Sequence, residues 1–288
     1  MFYLIVFDMI YLRETWSRCD LEMIQWLHKK NIGGCTTDVM DNAAASGNID
    51  IVKWLHENRS EGCTTDAMDW AAINGHLDVV KFLHENRMEG CTSRAMDGAA
   101  ICGYIGIIKW LHVNRTEGCT TDAMYYAAKN GHFNIIKWLH ENRTEGCTTE
   151  AMDSAAENGY IVIVKFLHVN RTEGCTTGAM DYAAMNGHID IVKWLCENRT
   201  EGCTPNAMRL ATFHGHLNIV KYLYENQRSH SNLSDALDMA ILTCRIDIGL
   251  YLYKQNAFEY FLNWIKRNHV IIQLVVVIFM YSVRVYRG

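Results

Sequence analysis

Residues 63–90, Cys63 to Gly90, read C-T-T-D-A-M-D-W-A-A-I-N-G-H-L-D-V-V-K-F-L-H-E-N-R-M-E-G, and the same register returns along most of the chain. Cys35, Cys63, Cys91, Cys119, Cys147, Cys175 and Cys203 recur every 28 residues, as do Gly47, Gly75, Gly103, Gly131, Gly159, Gly187 and Gly215. A fixed period of this length is the signature of a repeat array, whose core grows along the chain instead of around one centre. Seven copies occupy residues 35–230.

Each copy predicts two helices. The first starts at an unvarying threonine (Thr36, Thr64, Thr92, Thr120, Thr148, Thr176, Thr204), whose hydroxyl suits an N-cap. Pro205, directly after Thr204, fits the first helical position, where a missing N–H costs nothing. Asp38, Asp66, Asp122 and Glu150 complement the positive helix end, while Arg94 and Gly178 depart from that pattern. The recurring glycine ends the helix by supplying a left-handed residue. The second helix, Leu77 to Asn86 in this copy, carries Leu77, Val80 and Leu83 as an apolar stripe that Val79 and Phe82 widen, with Lys81 outside it. One pair has no core of its own. Met68, Ala71, Ala72, Val80 and Leu83 are buried only if neighbouring copies stack.

The set A-M-D-x-A-A-x-N-G-H-x-x-I-V-K-W-L resembles the ankyrin motif T-P-L-H-x-A-A-x-x-G-H-x-x-V-V-x-x-L, and it repeats over about two thirds of the chain. The resemblance implies an all-α, ankyrin-like solenoid of stacked helix-turn-helix repeats. Ankyrin repeats usually run 33 residues, so the shorter period implies shortened or absent β-hairpin fingers. The family's tetrapeptide has become x-A-M-D, and its hydrogen bonds must come from Thr64, Asp69 and their equivalents. The chain is similar to the short ankyrin repeats of giant DNA viruses of amoebae and of some protists.

The ends fit the same frame. Leu21 to His28 matches a second helix, making residues 1–34 an N-terminal capping region; the apolar opening Met1 to Phe7 lacks the basic flank of a signal peptide. Ala236 to Tyr253 is a decayed copy, so residues 231–256 read as a C-terminal cap. Residues 257–288 form an apolar tail in which Val270 to Val283 is shorter than the roughly 20 residues of a spanning helix and is interrupted by Gln273. Three readings stay open for it: a helix packed on the stack, a membrane anchor, or exposed partner-dependent surface.

Candidate chemistry is weak. The row His56, His84, His112, His140 and His168 spaces its members one repeat, about 8–10 Å, apart, whereas zinc holds ligands at about 2 Å. The cysteine row exceeds the roughly 7 Å that a disulfide bridges, which points to buried thiols in a reducing, intracellular compartment, cytoplasmic in the host or producing cell. Asp41, Asp69, Asp97, Asp153 and Asp181 repeat too regularly for an active site. The copy that has Arg209 at this position also has Gln227 in place of the loop arginine (Arg59, Arg87, Arg115, Arg143, Arg171, Arg199), which suggests an Asp–Arg contact, although Tyr125 stands beside an unchanged Arg143. No G-x-S-x-G, P-loop, H-E-x-x-H or dinucleotide fingerprint occurs. No catalysis, metal or cofactor is expected, and a net charge of −5 gives no footprint for nucleic acid.

Function should lie where copies differ. Asn42, Trp70, Gly98, Tyr126, Ser154, Tyr182 and Leu210 vary, as do Ala45, Ile73, Ile101, Lys129, Glu157, Met185 and Phe213 three residues later. Spacing of i, i+3 puts both sets on one face of the first helix, and the ankyrin resemblance makes that face the concave groove. The expected partner-binding residues are therefore Trp70, Ile73, Ile101, Tyr126, Lys129, Glu157, Tyr182, Met185, Leu210 and Phe213. Trp70, Tyr126 and Tyr182 are the aromatic anchors, alternating with small residues that would leave pockets. The expected function is a monomeric, non-catalytic scaffold holding a protein, a host protein among the candidates; a scaffold tethered to membrane through residues 270–283 is the alternative.

Overall fold

Thr36, Thr64, Thr92, Thr120 and Thr204, which open their copies, have an extended backbone, and the glycine that closes each first helix has a left-handed one; together they set a helix of about three turns. The computed structural model describes residues 20–226 and 233–255. They divide into two compact units, residues 20–151 with 165–174, and residues 152–164 with 175–226 and 233–255.

In the first unit, α1 (Leu21–Lys29) precedes the pairs α2 (Thr37–Ala45) and α3 (Ile49–Asn58), α4 (Thr65–Ile73) and α5 (Leu77–Asn86), α6 (Ser93–Cys102) and α7 (Ile105–Asn114), and α8 (Thr121–Lys129) and α9 (Phe133–Asn142). Helices α10 (Thr149–Glu157) and α11 (Ile161–Asn170) are divided between the units. The second unit continues with α12 (Gly178–Met185), α13 (Ile189–Asn198), α14 (Pro205–His214), α15 (Leu217–Asn226), α16 (Leu233–Leu242) and α17 (Ile246–Lys254). No strand forms among the described residues, in keeping with a period that has no length for a finger.

Within the first unit α2 packs on α4, α4 on α6 and α6 on α8, each first helix also packing on its own second helix; in the second unit α12 packs on α14 and α14 on α16. Alanine pairs make this close stacking feasible. Ala71, Ala72, Ala99 and Ala100 are all 0% exposed, and Met68, Val79, Val80 and Leu83 fill the space between helices. Each such aliphatic side chain contributes about 1.5–3 kcal/mol by leaving water. The architecture is thus all-α, with helix-pair repeats stacked within each unit. The decayed copy supplies α16 and α17, Tyr224 meeting Tyr251 edge to face at 6.1 Å. Residues 270–283 lie outside the described residues; among the described residues no helix is long and apolar enough to cross a membrane.

Gly75 shows why its position excludes other residues. Its φ is +89°, and a Cβ there would fall 2.7 Å from the Tyr104 ring of the next repeat.

Candidate functional site

The aspartate row builds a recurring set of inter-repeat polar contacts, and it corrects one expectation. Asp69 does not pair with a loop arginine. Its Oδ1 accepts from the Thr92 N–H at 2.8 Å and its Oδ2 from the Thr92 hydroxyl at 2.6 Å. The hydroxyl, its proton so committed, accepts from Arg94 N–H at 3.2 Å and caps α6. Asp41 holds Thr64, Asp97 holds Thr120, Asp153 holds Thr176 and Asp181 holds Thr204 in the same way. Thr36 shows the dependence. Arg13, not an aspartate, stands 23 residues before it in sequence, and its hydroxyl turns to Asp38 Oδ2 at 2.9 Å without capping α2. Burial pushes the Asp41, Asp69, Asp97 and Asp181 carboxyls above their ordinary range, against the threonine bonds that pull them down.

The loop arginines pair with the glutamate two residues on, Arg87 with Glu89 and Arg143 with Glu145. Burial acts to raise the Glu173 carboxyl, yet the hydrogen bonds from Arg171 and from Cys147 N–H at 3.2 Å hold it down to about 2. The histidine row packs on rings, and His28, His84 and His112 also bring Nδ1 within 3.3–3.5 Å of Arg59, Arg115 and Arg143 of the next repeat. His28, His84 and His112 meet Trp54, Trp110 and Trp138 edge to face at 5.1–5.2 Å, while His56 and His140 meet Phe82 and Phe166 at 5.6 Å. No cluster of three or more His, Cys, Asp or Glu among the described residues is placed to hold a metal ion.

Burial pushes the Cys63, Cys119 and Cys203 thiols up to about 12, and Cys91, Cys147 and Cys175 to about 11. In the folded protein at neutral pH, iodoacetamide will modify the exposed Cys102 and Cys244 first and leave this row untouched until the chain is unfolded. Mass spectrometry of a time course reads this directly; equal rates at Cys63 and Cys102 would contradict the burial.

The variable face of the first helices differs in relief from its sequence reading. In the first unit Trp70 is 40% exposed, Ile73, Ile101 and Tyr126 are half-buried, and Lys129 is exposed. In the second, Tyr182 at 45% and Phe213 at 48% project, whereas Glu157, Met185 and Leu210 are half-buried. The pocket expected beside Gly98 is filled: Gly98 is buried, and a Cβ there would collide with Ile73 Cγ1. Ser154 is 8% exposed and likewise lies below the surface.

Cations accompany the aromatics. The Arg94 guanidinium lies 5.3 Å from the Trp70 ring centre and its Nη1 3.2 Å from Asp66 Oδ1. Tyr126 packs against Tyr125 at 4.6 Å, with Lys129 Nζ 5.9 Å from the Tyr125 ring. Phe213 meets His214 at 5.0 Å, and His214 stacks on His216 at 6.2 Å. Burial holds His216 below the ordinary histidine range, partly offset by its bond to Met185 O at 3.0 Å. Arg94 and Tyr125 were visible in the sequence only as departures from the acidic and aspartate columns; Tyr125 adjoins Tyr126 along the chain, whereas Arg94 stands 24 residues from Trp70 and only the structure brings the two together.

The models for ankyrin repeats match this chain twice over. That for three copies matches residues 96–179, 125–208, 152–235 and 180–261, and that for many copies matches 40–84 and 68–112. No curated protein sequence matches the chain. With more than half of its residues matched and its helix pairs stacked through the Ala-Ala, Gly-His and apolar-pair positions, the chain belongs to the ankyrin-repeat family.

Proposed function

We propose that the protein is a non-catalytic adaptor that holds a protein partner on the variable face of its first helices. Ankyrin repeats generally serve as protein-binding scaffolds, which supports the class of function. The observation that carries the specific reading is the exposure of Trp70, Tyr182 and Phe213, with half-buried Tyr126, at the positions where otherwise uniform copies differ. Aromatic anchors of this kind dominate binding energy, each contributing about 2 kcal/mol or more when well packed. Within the first unit Ile73 and Ile101 add half-buried aliphatic surface on this face and Lys129 a charge, and within the second Met185, Leu210 and Glu157 do the same. The free thiols fit a reducing, cytoplasmic setting. The short repeats, similar to those of giant DNA viruses of amoebae, favour a host protein as the partner and a monomeric adaptor. Tethering through residues 270–283 forms no part of this reading.

Affinity purification with mass spectrometry, comparing the wild type with a Trp70→Ala, Tyr126→Ala, Tyr182→Ala variant of unchanged helicity, tests it. The expected result is a partner lost with the variant, its Kd weakened more than tenfold for each anchor it engages. Partners retained undiminished would move the function to another surface.

A further inference from the structure

The second helices of the first unit carry an exposed lysine in each copy, Lys53, Lys81, Lys109, Lys137 and Lys165. Four residues on stand Glu57, Glu85 and Glu141 in α3, α5 and α9, one helical turn from the ammonium. Lys137 Nζ lies 4.0 Å from Glu141 Oε1, the contact that this spacing permits. In α7 and α11 the glutamate is replaced by Val113 and Val169, which are 78% and 77% exposed. The position three residues before the lysine changes as well. Asp50 and Asp78 precede Lys53 and Lys81, whereas Gly106 and Val162 precede Lys109 and Lys165.

Folding gives no reason for these valines. A β-branched residue is a poorer helix former than glutamate, and one so exposed gains little from burial. The same replacement occurs in both alternate copies, and in each it leaves a lysine with no carboxylate at either helical neighbour. The result, twice, is an exposed valine one turn from a lysine that has no carboxylate one turn away on its own helix, with the Lys137–Glu141 pair between.

We propose that Lys109 with Val113, and Lys165 with Val169, form a second binding surface for a protein segment carrying acidic and aliphatic side chains. Acidic groups meet the two ammoniums and aliphatic groups cover the two valines. The two points are two repeats apart, about 20 Å at the packing distance of helices, which an extended segment spans with about six residues. An anionic membrane fits less well. Glu57, Glu85 and Glu141 interrupt the basic column, and the whole chain carries a net charge of −5, so the face offers two discrete contacts and not a uniform positive field. This surface uses none of the first-helix residues.

The test is selection of a display library of random peptides of about 12 residues on the full chain, followed by binding of the selected synthetic peptides. The comparison protein is a Val113→Glu, Val169→Glu variant, which installs the residue used in α3, α5 and α9; at such exposed positions its helicity and unfolding midpoint should stay unchanged. A Lys109→Gln, Lys165→Gln variant provides a second arm that leaves the valines in place. The expected result is a set of peptides rich in Asp or Glu with Leu, Ile or Val, bound about tenfold more weakly by either variant, and bound equally by the Trp70, Tyr126, Tyr182 alanine variant. Selection of no peptides, of peptides without acidic residues, or of peptides indifferent to both variants would overturn the proposal. So would wild-type binding to phosphatidylserine vesicles, lost in the variants, without any selected peptide.

Discussion

Truncating Leu83 to alanine will destabilise the first unit by about 2–5 kcal/mol, the cost of removing a buried leucine and leaving a cavity. Leu83 is 0% exposed, and it shares the interior with Val79, Val80 and Met68, each at 0–1%. The surrounding alanines limit relaxation, because Ala71 and Ala72 already bring their helices close and have no further side chain with which to fill the gap. In a stack where each repeat touches only its neighbours, the loss concentrates at one place. Urea denaturation followed by circular dichroism should show a lower midpoint, and amide exchange should show protection lost first in α4 to α6. Lys81→Ala, two residues away on the exposed face, should change stability by no more than about 0.5 kcal/mol. A cost below about 1 kcal/mol for Leu83→Ala would mean that α5 does not carry the interior described above.

Removing the Asp69 carboxylate will cost about 3 kcal/mol. The side chain is 0% exposed and serves two donors of Thr92, and it also orients the hydroxyl that caps α6. Asp69→Ala therefore leaves an amide and a hydroxyl without their acceptor and weakens the start of the next helix. Asp69→Asn keeps one oxygen for the amide and should cost about 1 kcal/mol, since a neutral bond replaces a charge-assisted one. Thermal and urea unfolding of the two variants decide the matter. Equal losses for Ala and Asn would show that the hydrogen bonds are not what holds this position, whereas near-wild-type stability for both would show that Thr92 finds other acceptors.

Thr64, Gly75, Val80 and Leu83 could be placed from the sequence because their roles are local. A cap acts on its own helix, a left-handed glycine on its own turn, and an apolar stripe follows the 3.6-residue pitch. Asp69 was harder. In an array of near-identical copies every column recurs with every other, so the joint change at Arg209 and Gln227 could not say whether aspartate pairs with the loop arginine or with a threonine 23 residues on. The structure assigns it to the threonine and gives the arginine to a glutamate two residues away. Gly98 was misleading for a different reason: a missing side chain became a pocket in the sequence reading, but Ile73 from the first helix of the preceding repeat occupies the room.

The repeat period, the helix pairs, the core alanines and the variable positions on the first helices were thus determined by the sequence, because each depends on spacing along one helix or on identity between copies. Which variable residues project and which are covered, and which polar columns join neighbouring repeats, were decided only by tertiary structure. These depend on distances between helices and on the rotamers of residues about one repeat away, and periodicity carries no information about either.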